Sequence, residues 1–131
     1  MNNQYSNLIF PNIQQSLSVL SCHNSIKEIQ RFAPQNFPYH VAIHKISEVE
    51  NIPSHYVSPH SHDVPEIKIL IPDSNGLEYE IQLGDEFYQV FGHKTIYVPP
   101  GVSHAANIKK GSGYFVCMIL DTTENVFGKL Q

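Results

Sequence analysis

The stretch His60-Ser61-His62-Asp63-Val64-Pro65-Glu66 is the most informative part of this sequence, because it carries three potential metal ligands at even spacing. Side chains alternate across a β-strand, so its two histidines share one face, and its glutamate joins them if the strand resumes after the proline. A second stretch, Pro99-Pro100-Gly101-Val102-Ser103-His104, brings a histidine from another strand-forming run. Imidazoles with one carboxylate are a usual ligand set for Fe, Zn, Mn or Ni. The spacing therefore predicts one divalent metal ion held by His60, His62, Glu66 and His104.

The two stretches resemble the motifs of the cupins, which are small β-barrels. In that family the first motif contains His-x-His with Glu three or four residues further on, and the second contains Pro-x-Gly-x2-His, often followed by Asn. Residues that fit the second motif closely are Pro99, Gly101, His104 and Asn107. The resemblance covers roughly residues 38–120. It implies an all-β fold, a single antiparallel jelly-roll barrel, and it places the family's metal ligands on His60, His62, Glu66 and His104.

The sequence departs from the cupin pattern in its loops. No glycine occurs between Ile52 and Ser58, where one often opens the first motif. The glycine expected after Glu66 is replaced by the turn Pro72-Asp73-Ser74-Asn75-Gly76. These departures concern loops rather than metal ligands.

The chain between the motifs alternates short strand-forming runs with turn residues, and no pattern indicates helical crossovers. The runs are Tyr39–Ile46, Ser54–His62, Glu66–Ile71, Leu77–Leu83, Glu86–Phe91, Thr95–Val98, His104–Ile108 and Tyr114–Leu120. Turns are predicted at Asp73–Gly76 and at Lys109–Gly113. Such a set favours an antiparallel sandwich or barrel, and the cupin resemblance selects the jelly-roll barrel.

The beginning of the chain is predicted to lie outside the barrel. Ser25-Ile26-Lys27-Glu28 has the form of a helix capping box, and apolar residues follow it at partial helical spacing as far as Pro34. At most one short helix is predicted there. The predicted organisation is an N-terminal arm and short helix packed on the barrel in residues 1–37, the barrel in residues 38–122, and a C-terminal tail in residues 123–131.

Composition favours a soluble globular domain and argues against several classes of partner. The chain has 131 residues, of which 41% are apolar and 15% are charged. Its formal net charge is −4, with no basic run beyond Lys109-Lys110, so neither nucleic acid nor a membrane surface is an expected partner. No signal peptide is recognisable, which predicts a cytoplasmic location. Cys22 and Cys117 are predicted to be free thiols, the second of them buried.

Strand parity predicts two candidate catalytic residues. If Glu66 points into the barrel, Lys68 and Leu70 do so too. A buried ammonium is costly unless paired. Lys68 is therefore expected to form a salt bridge with Glu66, or with Glu80 or Glu86 across the sheet, unless the strand slips in register and exposes Lys68 to water. The functional alternative is that Lys68 binds an anionic group of the substrate or shifts a proton during turnover. Tyr56 precedes His60 on the same face, where it either packs in the barrel or reaches the substrate.

Two further histidines share a face of one predicted strand. His40 and His44 either lie on a solvated surface or, if that face is inward, serve as hydrogen-bonding partners of the ligands or as acid/base groups.

Three imidazoles and one carboxylate leave one or two positions of a five- or six-coordinate ion open to substrate, water or dioxygen. The first hypothesis is a metal-dependent oxygenase, isomerase or lyase acting on a small oxygenated metabolite, carboxylated or sugar-derived, with Lys68 or Tyr56 assisting. The alternative is a non-catalytic barrel that binds or senses a small molecule. Small barrels of the cupin family are often dimers through their sheets, so a homodimer is expected.

Overall fold

Seven antiparallel β-strands make up almost all of the regular structure in the computed structural model, which describes residues 4–16, 27–50 and 57–120. The strands are β1 (Asn12–Gln15), β2 (Ile29–Pro34), β3 (His40–Glu50), β4 (Glu66–Leu83), β5 (Glu86–Phe91), β6 (Lys94–Val98) and β7 (His104–Ile119). A single turn of 3-10 helix covers Ser6–Leu8. The strands pair in the order β1-β2-β3-β7-β4-β5, and β6 also pairs with β4. The predicted all-β fold is confirmed.

The long strands β4 and β7 run antiparallel to each other along nearly their whole length, and both bend in the middle. Their register shifts between Pro72 and Leu77, so the four residues predicted as a turn form a bulge in β4. The facing glycine of β7 allows the backbones to approach, because a Cβ on Gly111 would lie 2.1 Å from the carbonyl oxygen of Gly76. The two predicted turns are therefore one bend shared by two continuous strands. For the same reason, the four strands predicted on either side of these turns are the two continuous strands β4 and β7.

The bend divides the strands into two sheets that face each other. Sheet I contains β1, β2, β3 and β6 with residues 66–72 of β4 and 113–119 of β7. Sheet II contains β5 with residues 77–83 of β4 and 104–111 of β7. The ring of Tyr79 in sheet II stacks on the ring of Phe115 in sheet I, with 4.2 Å between their centroids. The side chains between the sheets form the interior of a barrel.

Alternate residues of each strand line this interior. In β4 the side chains of Glu66, Lys68 and Leu70 are buried, which confirms the parity prediction for this strand. The residues between them are only partly buried. The apolar core consists of Ile29, Ala42, Ile46, Val49, Val57, Leu70, Leu77, Tyr79, Ile81, Ala105, Ala106, Ile108, Phe115 and Cys117. The inner face of sheet I therefore combines apolar residues with charged ones.

Ser25 and Ile26, at the start of the segment predicted as a short helix, lie outside the described residues, and its later part, Ile29–Pro34, is a β-strand. Within β2, Ile29 pairs with Ile46 of β3, and Arg31 pairs with His44. Both β2 residues are buried, whereas Gln30 between them is exposed. A helix would have made only local contacts, but the edge of β3 offers backbone hydrogen bonds and an interior in which to bury alternate side chains. The helix prediction was wrong because strand pairing outweighs the local spacing.

The histidine motif does not lie on a regular strand. Of the predicted strand Ser54–His62, the structure describes residues 57–62, in which only Val57 and His60 form isolated bridges. Pro59 and Pro65 lack the backbone N–H that a strand ladder requires. Individual hydrogen bonds, rather than strand parity, therefore set the direction of the two histidines.

We expect Gly111→Ala to destabilise the bend of β4 and β7. The new methyl group would collide with the backbone of Gly76, and alanine is strained at the observed φ of +102°. Urea unfolding should show a loss of about 3 kcal/mol or more. Gly84→Ala is the matched control, because its φ is +60° and nothing lies within 4 Å of the added Cβ. The loss of stability in Gly84→Ala should be only about 1–2 kcal/mol, which is the cost of placing alanine at a positive φ. Equal losses in the two variants would contradict the close approach.

Candidate metal centre

Backbone hydrogen bonds hold the histidine motif against the segment that ends in His104. The N–H of His60 donates to the carbonyl oxygen of His104 at 3.0 Å, and the N–H of His104 donates back to that of His60 at 2.8 Å. The N–H of Gly101 donates to the carbonyl oxygen of His62 at 2.7 Å. Two segments that are distant in sequence are thus joined directly. Their histidines meet between the two sheets, beside Glu66 at the start of β4.

The buried side chain of Asn107 fixes the chain that leads into this motif. Its Oδ1 accepts a hydrogen bond from the N–H of Val57 at 3.0 Å, and its Nδ2 donates to the carbonyl oxygen of Val57 at 3.3 Å. One amide side chain therefore satisfies both backbone groups of Val57, as a neighbouring strand would. This positions the backbone a few residues before His60. The sequence placed Asn107 in the second motif but did not reveal this contact.

The ligand atoms of the four predicted metal ligands all lie within 4.8 Å of one another. The Oε1 atom of Glu66 is 2.9 Å from Nε2 of His104 and 3.5 Å from Nε2 of His62. Two ligands about 2.1 Å from one ion are about 3.0 Å apart at a right angle and about 3.4 Å apart at the tetrahedral angle. The separations observed thus suit ligands that share one ion. The residues that could hold it are His60, His62, Glu66 and His104.

Two of the histidines are oriented by backbone carbonyl groups. The Nδ1 atom of His60 is 2.8 Å from the carbonyl oxygen of Ser58, and that of His104 is 3.0 Å from the carbonyl oxygen of Val102. A carbonyl oxygen only accepts, so each Nδ1 carries the proton and donates it. In the neutral ring of His60 the Nε2 lone pair is then directed away from the backbone and into the cluster. Nε2 of His104 faces Oε1 of Glu66 and donates to it when that ring carries both protons. A hydrogen bond of this kind is the usual device that orients a metal-binding histidine.

Glu66 is the buried carboxylate at the centre of the site. Its Oε2 accepts a hydrogen bond from the Lys68 ammonium at 2.7 Å, while its Oε1 faces two histidines. Burial works to raise the pKa of Glu66, but the Lys68 charge and the hydrogen bonds from His104 and His62 outweigh it. They hold the pKa of this carboxyl well below its usual range. Glu66 is therefore ionised, as a metal ligand must be.

Lys68 points into the barrel and takes the salt bridge with Glu66 that sequence reasoning left as one alternative. The alternative in which its strand slips and exposes it is wrong, because the residue is buried. Its Nζ also lies 3.7 Å from Sγ of Cys117 and 5.8 Å from the centroid of Phe115. Burial opposes the charge, but Cys117, once its thiol ionises at high pH, and the ionised Glu66 raise the pKa of Lys68 above its ordinary value. The site thus holds an ammonium group within its interior.

His40 belongs to the surroundings of the site. It occupies the same row of sheet I as Glu66, because both pair with Ile119 of β7. Burial and the neighbouring Arg31 lower the pKa of His40 to about 4, and Glu66 acts on it in the opposite sense. Burial likewise lowers the pKa of His60 to about 4. Both rings are therefore neutral at neutral pH.

The structure adds a buried guanidinium that sequence reasoning missed. Arg31 lies on the inner face of β2, and its Nη1 is 3.3 Å from Nε2 of His44. The Nδ1 of His44 donates to the carbonyl oxygen of Phe115 at 2.9 Å, so its Nε2 accepts from Arg31. The alternate spacing of Ile29 and Arg31, on either side of Gln30, could have indicated from the sequence that both lie on one face of a strand. Interpreting that segment as a helix concealed it.

Two of the residues predicted from the sequence lie outside the described part of the chain. These are Tyr56, the second candidate catalytic residue, and Cys22. Cys117 is a buried free thiol, as predicted. Burial raises its pKa to about 11, so it packs against Lys68 as a neutral group.

Comparison with solved structures identifies the fold. The chain is similar to an RmlC-like cupin from Shewanella frigidimarina, with 10% identity over 96% of this chain and 97% of that one and a TM-score of 0.53. It is similar to KdgF from a Halomonas species, with 15% identity over 90% and 97% of the two chains and a TM-score of 0.54. HppE in its iron(II) form with substrate aligns with 11% identity over 85% and 56%, with a TM-score of 0.50.

These likenesses establish that the chain has the cupin β-barrel fold. No protein-family model matches the sequence, and no curated protein matches it significantly. Within the described ranges, no helix is both long enough and apolar enough to cross a membrane.

Acidification is expected to destabilise the metal-free protein between pH 6.5 and about 4. Folding lowers the pKa of His40 and His60 from 6.5 to about 4, so in this window the unfolded chain takes up protons that the folded chain does not. The stability present above pH 6.5 is therefore lost as the pH falls. Each histidine contributes at most about 1.4 kcal/mol per pH unit, and less where its ring is partly exposed. Urea unfolding measures this slope, and an unchanged slope in His40→Gln would contradict the role of His40.

Replacing Asn107 should disturb the histidine motif through its backbone. Asn107→Ala leaves both backbone groups of Val57 without this partner, at a cost of about 1–3 kcal/mol for each group that stays unsatisfied. We expect a lower midpoint of thermal unfolding and weaker retention of Zn²⁺ during dialysis. Asn75→Ala, which removes an exposed asparagine at the bend, is the control and should retain Zn²⁺ fully. Full retention in Asn107→Ala as well would contradict the positioning role.

Proposed function

We propose that this protein is a metal-dependent enzyme that acts on a small oxygenated metabolite bearing a carboxylate. The observation that carries the proposal is the set of three imidazoles and one ionised carboxylate whose ligand atoms lie within 4.8 Å of one another, beside a buried ammonium. His60, His62, Glu66 and His104 would hold the ion. When bound, a divalent ion supplies Lewis-acid chemistry, or oxygen chemistry if it is iron.

The chain's own groups support a substrate with negative charge. Lys68 places its ammonium in the interior, next to one ligand and away from bulk water. A carboxylate of the substrate gains a charge-assisted hydrogen bond from this group if it enters the space beside Glu66. The raised pKa of Lys68 keeps the ammonium charged, so its role is to bind and orient. His40 is neutral, which suits it to accept a proton near the same site.

The comparison with HppE supports a catalytic role, since that cupin-fold protein takes iron(II) and a substrate. The likeness to HppE concerns the fold alone and does not identify the reaction of this chain. Fe favours an oxygenase, whereas Zn, Mn or Ni favours an isomerase or a lyase.

A second candidate is a barrel that binds or senses a small molecule without a reaction. The favouring observation is that the polar groups of the site satisfy one another, since Glu66 bonds to Lys68 and to His104. Such a site is compatible with a metal-free protein. Metal content separates the two candidates.

Metal analysis by mass spectrometry, on protein purified without a His tag or chelator, is the first test. We expect one divalent ion per chain, and none in His62→Ala. His93→Ala is the matched control, because it removes an exposed turn histidine and should leave the metal content unchanged. The identity of the ion then divides oxygen chemistry from Lewis-acid chemistry. A wild-type protein that takes up no metal even after reconstitution would contradict the enzyme proposal and favour the binding barrel.

Lys68→Met should weaken the binding of carboxylates while leaving the metal in place. The cobalt-substituted protein can be titrated with oxalate, and binding can be followed by the visible absorption of the cobalt. We expect at least a tenfold weaker apparent affinity in the variant, equivalent to about 1.4 kcal/mol. Lys110→Met is the control, because that ammonium lies on the surface with 68% of its side chain exposed. Unchanged oxalate binding in Lys68→Met, or loss of the metal, would contradict the role given to Lys68.

A further inference from the structure

A tyrosine and a glutamate lie on the inner face of β5, the strand at the edge of sheet II. Side chains directly opposite each other on paired strands point to the same side of a sheet. Tyr88 lies opposite Ile81 of β4, which is buried in the core. Glu86 lies opposite Leu83, and Val90 on the same face of β5 packs against the core. Tyr88 and Glu86 are therefore directed toward the interior side of the barrel.

The row that contains Glu86 continues into the candidate metal centre. Leu83 has Glu86 opposite it on one side and His104 of β7 on the other. His104 is joined in turn to His60 by an isolated bridge. Two strand spacings of about 4.8 Å place the backbone of Glu86 about 10 Å from that of His104. One face of sheet II thus carries two of the candidate ligands at one end and a carboxylate at the other, with an apolar side chain between them.

The side chains of Tyr88 and Glu86 form a pair of hydrogen-bond acceptors. The Tyr88 phenol donates its proton to Oε1 of Glu86. This hydrogen bond and the charge of Glu86 raise the pKa of Tyr88 above its ordinary value, so the phenol stays protonated at neutral pH. A carboxylate offers about four lone-pair positions, of which the phenol takes one, and the phenol oxygen is itself an acceptor. Because 45% of Tyr88 is exposed, a ligand can reach the pair from solvent.

The other end of the row has the opposite hydrogen-bonding character. The Lys68 ammonium, next to the ligand Glu66, only donates, and it suits a carboxylate. The charge of Glu86 repels a second carboxylate, but the Tyr88–Glu86 pair accepts hydrogen bonds from hydroxyl groups. An extended six-carbon acid measures about 8 Å from its carboxylate to its last oxygen, given bonds of about 1.5 Å. This length is comparable with the distance between the two ends.

We propose that Tyr88 and Glu86 bind the hydroxyl groups of the substrate at the end remote from the metal ligands, and that the substrate is a polyhydroxylated carboxylic acid. This assignment rests on the proposed function, which places the substrate carboxylate beside Lys68. Leu83 and Ile81 lie beneath the carbon chain of such a ligand, and an apolar surface with a few polar groups is typical of small-molecule sites. A phenol both donates and accepts, which matches hydroxyl groups better than an ammonium that only donates.

Ligand binding to the cobalt-substituted full chain, followed by the visible absorption of the cobalt, tests the proposal. D-gluconate is compared with α-hydroxyhexanoate, which has the same length and the same chelating end but lacks the remaining hydroxyl groups. We expect gluconate to bind at least about tenfold more tightly. Tyr88→Phe and Glu86→Ala should each reduce this preference at least about threefold. Both variants should bind oxalate as the wild-type protein does, because oxalate is too short to reach Glu86.

Two matched controls remove the same groups from other surfaces. Tyr97→Phe changes an exposed tyrosine of sheet I that lies opposite Ile67, on the outer face. Glu78→Ala removes a glutamate of β4 that lies between the buried residues Leu77 and Tyr79 and contacts Lys110 at the surface. Both variants should keep the wild-type preference for gluconate.

Three results would overturn the proposal. If oxalate binds but gluconate binds no more tightly than α-hydroxyhexanoate, or if Tyr88→Phe and Glu86→Ala leave the preference unchanged, the pair belongs to the ordinary surface. If ε-amino-α-hydroxyhexanoate binds more tightly than gluconate, Glu86 selects an ammonium and the substrate class is wrong. If the wild-type protein does not bind even oxalate, the proposed function fails together with this assignment, so the two failures are distinguishable.

Discussion

The buried carboxylate of Glu66 is the constraint on which the rest of the interior depends. Burying a charge inside a protein costs several kcal/mol unless the charge is paired, so the Glu66 carboxylate requires hydrogen-bonding or oppositely charged partners. Lys68 supplies one from the same strand, and His104 supplies another from β7. The histidine motif completes the surroundings because backbone hydrogen bonds join His60 to His104. A site built around one acid is thus also the place where three segments of the chain are joined.

Sheet I links this site to the molecular surface. The inner face of its strands combines charged side chains with apolar ones, and its outer face is mostly apolar, unlike a sheet with one solvated face. Glu66 and Lys68 point toward the metal ligands, while Ile67 and Ile69 between them point away from the barrel. Alternate side chains of this part of β4 therefore face the candidate site and the outer surface of the sheet.

The predictions that succeeded concern residues whose partners are close in sequence or whose type is diagnostic. Strand parity placed Lys68 and Leu70 inside with Glu66, because alternation is a property of any strand. The first and last residues of β5 were predicted as observed, because turn residues flank both ends of this strand. The prediction of helix failed for β2. Its local sequence suits a helix, but the segment pairs with β3 instead, with Arg31 opposite His44. Prediction failed again at the bend, where glycines that suggested turns instead allow two backbones to approach.

The sequence alone was enough to predict the all-β class, the likeness to cupins and the four residues that could bind a metal. These follow from the periodicity of strands and from the few residue types that ligate metals. The tertiary structure was needed to show that backbone hydrogen bonds join His60 to His104 and that Asn107 holds the backbone of Val57. It was also needed to show that Lys68 is paired with Glu66 and that one sheet has a mostly apolar outer face. Each of these depends on which distant strands pair and in which register, and no local pattern specifies that choice.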